Sequence, residues 1–117
     1  MPYVEGFVLA VPNDRKAVFL QQAAAAAPVF KECGATRVVE CWGDDVPEGK
    51  RTDFHRAVQA EPGEVVVFSW IEYPSKEVRD AANQRIRTDP RMQAIGEKMP
   101  FDGRRMIFGG FLPILDV

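Results

Sequence analysis

Apolar and polar positions alternate along this chain in short runs that predict strands and helices in turn. Tyr3 to Val11 is rich in aromatic and β-branched residues and stops at Pro12, as a strand does. Asn13 then offers a side-chain oxygen to the free amides of a helix starting at Asp14. The alanine run Ala23 to Ala27 favours that helix, with Leu20, Ala24, Ala27 and Phe30 along one face. Pro28 removes one internal hydrogen bond and is expected to bend it, and Gly34 supplies the left-handed residue that closes it.

Arg37 to Trp42 reads as a second strand, followed by a polar loop from Gly43 to Asp53. Phe54 to Ala60 fits either a helical turn or an edge strand, and Glu61-Pro62-Gly63 marks a turn. Val65 to Tyr73 has the β-branched and aromatic character of a central strand. Ser75 caps the next helix, whose apolar stripe is Val78, Ala81, Ala82 and Ile86. Asp89-Pro90 ends that helix and opens a short one that Gly96 should close. After the Met99–Gly103 turn, Arg105 to Leu115 forms a last strand, with Gly109-Gly110 marking a bulge or a close backbone approach.

The order β-α-β-(extra segment)-β-α-β predicts an α+β, ferredoxin-like sandwich on an antiparallel sheet, one domain over residues 1–117. Two helices cover only one face of such a sheet. The strands carry apolar residues on both sides of the alternation, so the second face must meet something. A second copy of the same sheet meets that need, which predicts a homodimer.

Composition narrows the function classes. Apolar residues make up 46% and charged residues 27%, as in an ordinary globular protein. A formal charge of -2 gives no broad positive field, which argues against nucleic acid as partner. The late arginines are diluted by acidic neighbours, and Asp89, Arg91, Asp102 and Arg104 read as turn-stabilising pairs or as a clamp for an anion. No apolar run reaches the ~18 residues of a membrane span, and the opening residues lack the pattern of a signal peptide. A cytoplasmic setting is expected, with Cys33 and Cys41 free. No cofactor or metal is predicted, since glycine-rich nucleotide loops, zinc spacings and calcium loops are missing from the sequence.

Strand alternation sorts the side chains into two sets. Gly6, Val8, Ala10, Val39, Cys41, Val67, Ser69 and Ile71 are compact and are expected beneath the helices. Tyr3, Glu5, Phe7, Glu40, Trp42, Phe68, Trp70 and Glu72 are larger and are expected to share the other face. Three carboxylates among large aromatics are the sharpest chemical feature. Glu5, Glu40 and Glu72 could bind a cation or a hydroxylated ligand, or one could act as a general base. Alternatively they pair with arginines such as Arg37 or Arg105 across a dimer interface. His55, the single histidine, is a further candidate acid or base beside Asp53, with no nucleophile arranged to use it.

Several strings carry a family resemblance: Tyr3-Val4-Glu5-Gly6-Phe7-Val8, Val39-Glu40-Cys41-Trp42, Phe68 through Asn83, Asp89-Pro90-Arg91-Met92 and Met99-Pro100-Phe101-Asp102-Gly103. They resemble the YbaA-like family, small bacterial proteins grouped as a domain of unknown function. The resemblance implies the dimeric α/β-barrel superfamily, in which two ferredoxin-like units pack sheet against sheet. It leaves activity open. That superfamily includes cofactor-free monooxygenases, haem-degrading enzymes and ligand-sensing domains, but no catalytic motif of theirs is matched here. Fold analogy alone is a weak warrant for function. Three readings follow: a small-molecule-binding or accessory dimer, a cofactor-independent oxygenase or isomerase, and a structural dimer with a protein partner.

Overall fold

A computed structural model describes residues 1–117. Strand β1 (Tyr3–Pro12) leads through a 3₁₀ turn, Asn13–Arg15, into helix α1 (Lys16–Glu32). Strand β2 (Arg37–Trp42), the single-turn helix α2 (Phe54–Ala57) and strand β3 (Glu64–Tyr73) follow. Helices α3 (Lys76–Thr88) and α4 (Pro90–Lys98), a 3₁₀ turn at Gly103–Arg105 and strand β4 (Ile107–Phe111) complete the chain. The sheet runs β2-β3-β1-β4 with every neighbouring pair antiparallel. This is the expected α+β, ferredoxin-like arrangement.

Local chemistry accounts for most boundaries. The Ser75 hydroxyl accepts from the Val78 amide at 3.2 Å, and Asp89 accepts from the Arg91 amide at 2.8 Å, so both expected caps form. Gly34 takes φ +115° after α1. The Gly34 amide donates to the Lys31 carbonyl and the Ala35 amide to that of Phe30, a paired closure that uses up the helix's orphan carbonyls.

Four boundaries differ from expectation. Asn13 caps nothing, because the 3₁₀ turn intervenes and α1 starts without a side-chain cap. Gly96 lies inside α4, which continues to Lys98. One glycine costs about 1 kcal/mol in a helix interior, too little to stop a segment packed on α1 and α3. Strand β4 spans Ile107–Phe111 only, where β1 supplies its partners, and Pro113 cannot extend a ladder. Gly109-Gly110 makes no bulge: the register is unbroken, and a methyl at Gly110 would overlap the Tyr3 ring and hydroxyl. The alternative reading of that pair, a close approach, is the one realised.

The buried stripe of α1 is Phe19, Ala23, Ala26 and Val29, one residue out of phase with the expected one, while Leu20 is 60% exposed. The alanine run makes the helix apolar nearly all round, so its sequence sets the phase weakly.

The helix-covered face of the sheet carries Tyr3, Glu5, Phe7, Leu9 and Val11 from β1. From β2 it takes Val38, Glu40 and Trp42, and from β3 Val67, Ser69, Ile71 and Tyr73. Glu5, Phe7, Glu40 and Trp42 therefore lie beneath the helices. Phe68, Trp70 and Glu72 lie on the opposite face with Gly6, Val8, Val39 and Cys41. The expectation that all eight large residues share one face is corrected here. Antiparallel register places Glu40 opposite Ser69 and Phe7 opposite Ser69, so β3 contributes its odd-numbered residues to the helix side. At one end of the open face, α2 and Val58 pack over Ala10 and Val66; the rest of that face has no helix on it.

Candidate functional site

One row across the middle of the helix-covered face consists of Glu40, Ser69, Phe7 and Phe108, in strand order β2, β3, β1, β4. Ser69 is buried, and Phe7 and Phe108 stack with ring centres 6.1 Å apart. Trp42 stands beside Glu40 on the same strand, packed on Phe19 at 6.4 Å and crossed by the Lys16 ammonium at 5.2 Å. The row separates two apolar clusters: one around Tyr3, Ile71, Tyr73 and Ala82, the other around Leu9, Val11, Phe19 and Val67. The Glu40–Ser69 pair thus sits between the two apolar clusters of the sheet–helix layer.

The carboxylates of the sheet have distinct surroundings. Glu5 is buried; Arg79 Nη1 lies 3.5 Å from it, and the Asn83 amide donates to it at 3.4 and 3.5 Å. Arg79 also donates to the Tyr3 hydroxyl at 3.0 Å and lies over its ring at 4.7 Å. Glu72, on the open face, accepts from the Trp70 indole at 2.9 Å and from Arg37 at 3.5 Å. Glu64 is held below the usual carboxylate range by the Arg105 guanidinium, which donates both ends of its fork at 2.8 Å. Of the expected arginine pairings, Arg37 with Glu72 occurs within one chain, and Arg105 takes Glu64 instead.

Glu40 is the exception among them. It has no cationic partner, and burial of its carboxyl pushes the pKa up to about 7, an effect the neighbouring Ser69 hydroxyl offsets only in part. The residue as a whole is nonetheless exposed, so solvent reaches it from the side away from the strand. Such a carboxyl changes charge near neutral pH, as a general acid or base must.

The remaining candidates lie elsewhere. His55, on α2, lines a small cleft of about 200 Å³ with Asp44, Val46 and Glu64, remote in the sheet from the central row. Asp53 does not assist it: its oxygens accept from the Arg56 and Gly49 amides and from the Arg56 side chain, locking the loop. Arg91 pairs with Asp89 and Glu32, and Arg104 with Asp102, which favours the turn-stabilising reading of that strip. Phe68 and Trp70 line an apolar trough of about 630 Å³ on the open face, with Val4, Gly6, Val8 and Phe111.

Arg79, Asn83, Ser69 and Tyr73 were not singled out from the sequence. Arg79 and Asn83, four apart and flanking the apolar stripe of α3, carry the i, i+4 signal of two side chains reaching one point. Ser69 stands out as a hydroxyl inside a β-branched and aromatic run. The enclosed Tyr73 hydroxyl meets no partner; burial, then the Glu5 charge, pushes its pKa up to about 12.

The sheet order, the single helical layer and the bare opposite face define a ferredoxin-like α+β protein. This chain belongs to the family described as "Protein of unknown function (DUF1428)", which matches residues 2–103. It is 66% identical over 116 residues to the uncharacterized protein YbaA of Escherichia coli K12, covering 99% of each chain. Among solved structures it is similar to a dimeric ferredoxin-like protein from an uncultured marine organism, at TM-score 0.64 and 13% identity, covering 100% of both chains. It is also similar to SnoaB, a cofactor-independent oxygenase of Streptomyces nogalater, at TM-score 0.59 and 12% identity, covering 99% of this chain and 96% of that one. At such identities the structural likeness establishes the fold alone. No helix is long and apolar enough to cross a membrane.

Proposed function

We propose that this protein is a cytoplasmic homodimer that binds a small, planar, hydroxyl-bearing molecule between sheet and helices, with Glu40 as the group that exchanges a proton with it. The observation that carries the ligand reading is the placement of Glu40. It is a carboxyl without a cation, set against Ser69 on the helix side, with Trp42 two residues along the same strand and Phe7 in the same row beyond Ser69. Carboxylates kept for structure are paired in this molecule, as Glu5, Glu64 and Glu72 are. An unpaired one beside aromatic walls can accept a ligand hydroxyl's proton and orient the ring system. The homodimer reading rests on the apolar open face and on the dimeric ferredoxin-like relatives in fold.

A second reading goes one step further along the same geometry. With a pKa near 7, Glu40 can remove a proton from an acidic O–H or C–H of the bound molecule, which would make the protein an enzyme without a cofactor. Similarity in fold to a cofactor-independent oxygenase supports this reading.

The test is a thermal-shift screen against planar phenols and hydroxyquinones, with non-hydroxylated ring analogues as controls. A ligand at 100 times its dissociation constant stabilises the folded chain by about 2.7 kcal/mol. The expected result is a rise of several degrees for hydroxylated members, lost in Glu40→Gln and in Trp42→Ala. Equal shifts in wild type and both variants would remove the site from this face.

A further inference from the structure

We propose that the C-terminal arm of one copy, Leu112–Val117, lies in the open-face trough of the second copy. This rests on the homodimer reading above and specifies the segment that seals its interface. Leu112, Ile114, Leu115 and Val117 of the arm are apolar, and beyond Pro113 they stand free of their own chain: Ile114 is 97% exposed and Leu115 78%. Few surface segments hold apolar side chains so fully in water, and apolar surface of this extent marks an interaction site.

The path of the chain favours a second copy over the arm's own sheet. Strand β4 is an edge strand, and Pro113 has no amide with which to continue a ladder, so the chain leaves its own sheet there. Six residues reach about 20 Å when extended. Four strands span about 14 Å from outer strand to outer strand. An arm leaving β4 of one copy can therefore cross the facing sheet as far as its β3, where Phe68 and Trp70 form one wall of the trough.

Charge and continuity agree. Asp116 is the arm's one charged side chain. On the rim of the trough, Arg37 lies 6.0 Å from the Trp70 ring centre, 63% exposed and held only by a 3.5 Å pairing to Glu72. Asp116 of a crossing arm can take that guanidinium while Ile114 and Leu115 enter the trough. Phe111, the last residue before the arm, already lies in the trough lining, so the two surfaces are continuous.

The test uses an equimolar mixture of carbon-13-labelled and unlabelled full-length chains, observed by isotope-filtered NOE spectroscopy. The expected result is intermolecular contacts from the Ile114 and Leu115 methyls to the Phe68 and Trp70 ring protons. A chain ending at Phe111 should dimerise at least 100-fold more weakly by sedimentation. A dimer without those contacts, whose affinity survives the deletion, overturns the arm's placement and leaves the homodimer standing. A monomeric wild-type chain overturns both.

Discussion

Arg79→Ala lowers the unfolding midpoint by about 12–20 °C, and Glu5→Gln in the same chain restores at least half of the loss. Glu5 is enclosed beneath α3, and only Arg79 and Asn83 answer its charge. Removing one member of a buried pair costs about 3–5 kcal/mol, because the survivor keeps its charge without a partner. For a chain of this length each kcal/mol moves the midpoint by about 4 °C. Arg79 also lies over the Tyr3 ring, so some of the loss is packing that Gln at position 5 cannot return. Thermal scans of wild type, both single variants and the double variant measure the coupling. A drop below about 4 °C, or no rescue by Glu5→Gln, contradicts the ion pair as the strut between α3 and the sheet.

Phe68→Glu raises the dimer dissociation constant at least 1000-fold while the chain keeps its far-ultraviolet circular dichroism. Phe68 stands on the open face, 46% exposed in the single chain, so a charge there meets solvent and costs the fold little. In the proposed homodimer the two open faces meet and the same charge is desolvated without a partner, a loss of several kcal/mol. A 1000-fold change corresponds to about 4.1 kcal/mol. Sedimentation at micromolar concentration reads the outcome directly. A variant that remains dimeric places the interface somewhere other than this face.

Much of the architecture was legible because local chemistry and tertiary packing agree. Val65 to Tyr73 had only one reading, and Ser75, Asp89 and Gly34 sit where helix termini demand a side-chain oxygen or a left-handed residue. What was not legible is which side of each strand meets the helices. The period of two separates a strand's faces but does not say which is inside, and here both are apolar. Grouping by size joined Phe68 and Trp70 to Phe7 and Trp42. Register joins Phe7 and Glu40 to Ser69 instead. Phe68, Trp70 and Glu72 do occupy the open face expected of them, while the β1 and β2 members of that set lie under the helices. Glu5 and Glu40 thus stay together, on the side opposite to the one expected.

The site was half legible for the same reason. Glu40 and Trp42 were readable as a carboxyl beside an aromatic on one strand face. Their relation to Ser69 depends on pairing between β2 and β3, which no local pattern encodes. The partner of Glu5 was hidden as well, since Arg79 and Asn83 are far from it in sequence and read as solvated helix positions.

The most direct test of the proposed acid–base role of the cation-free carboxyl at position 40 is its own titration by carbon-13 carboxyl NMR. Burial raises its folded pKa from 4.5 to about 7, so the folded chain holds this proton more tightly than the unfolded one. The associated stability is complete below about pH 4.5 and is lost as pH rises through 7, so Glu40→Gln should outlast wild type at pH 8 and match it at pH 4. A Glu40 midpoint near 7 is the result expected here. A midpoint near 4.5, with no pH-dependent gain in the glutamine variant, would mean an ordinary solvated carboxylate and no acid–base group on this face.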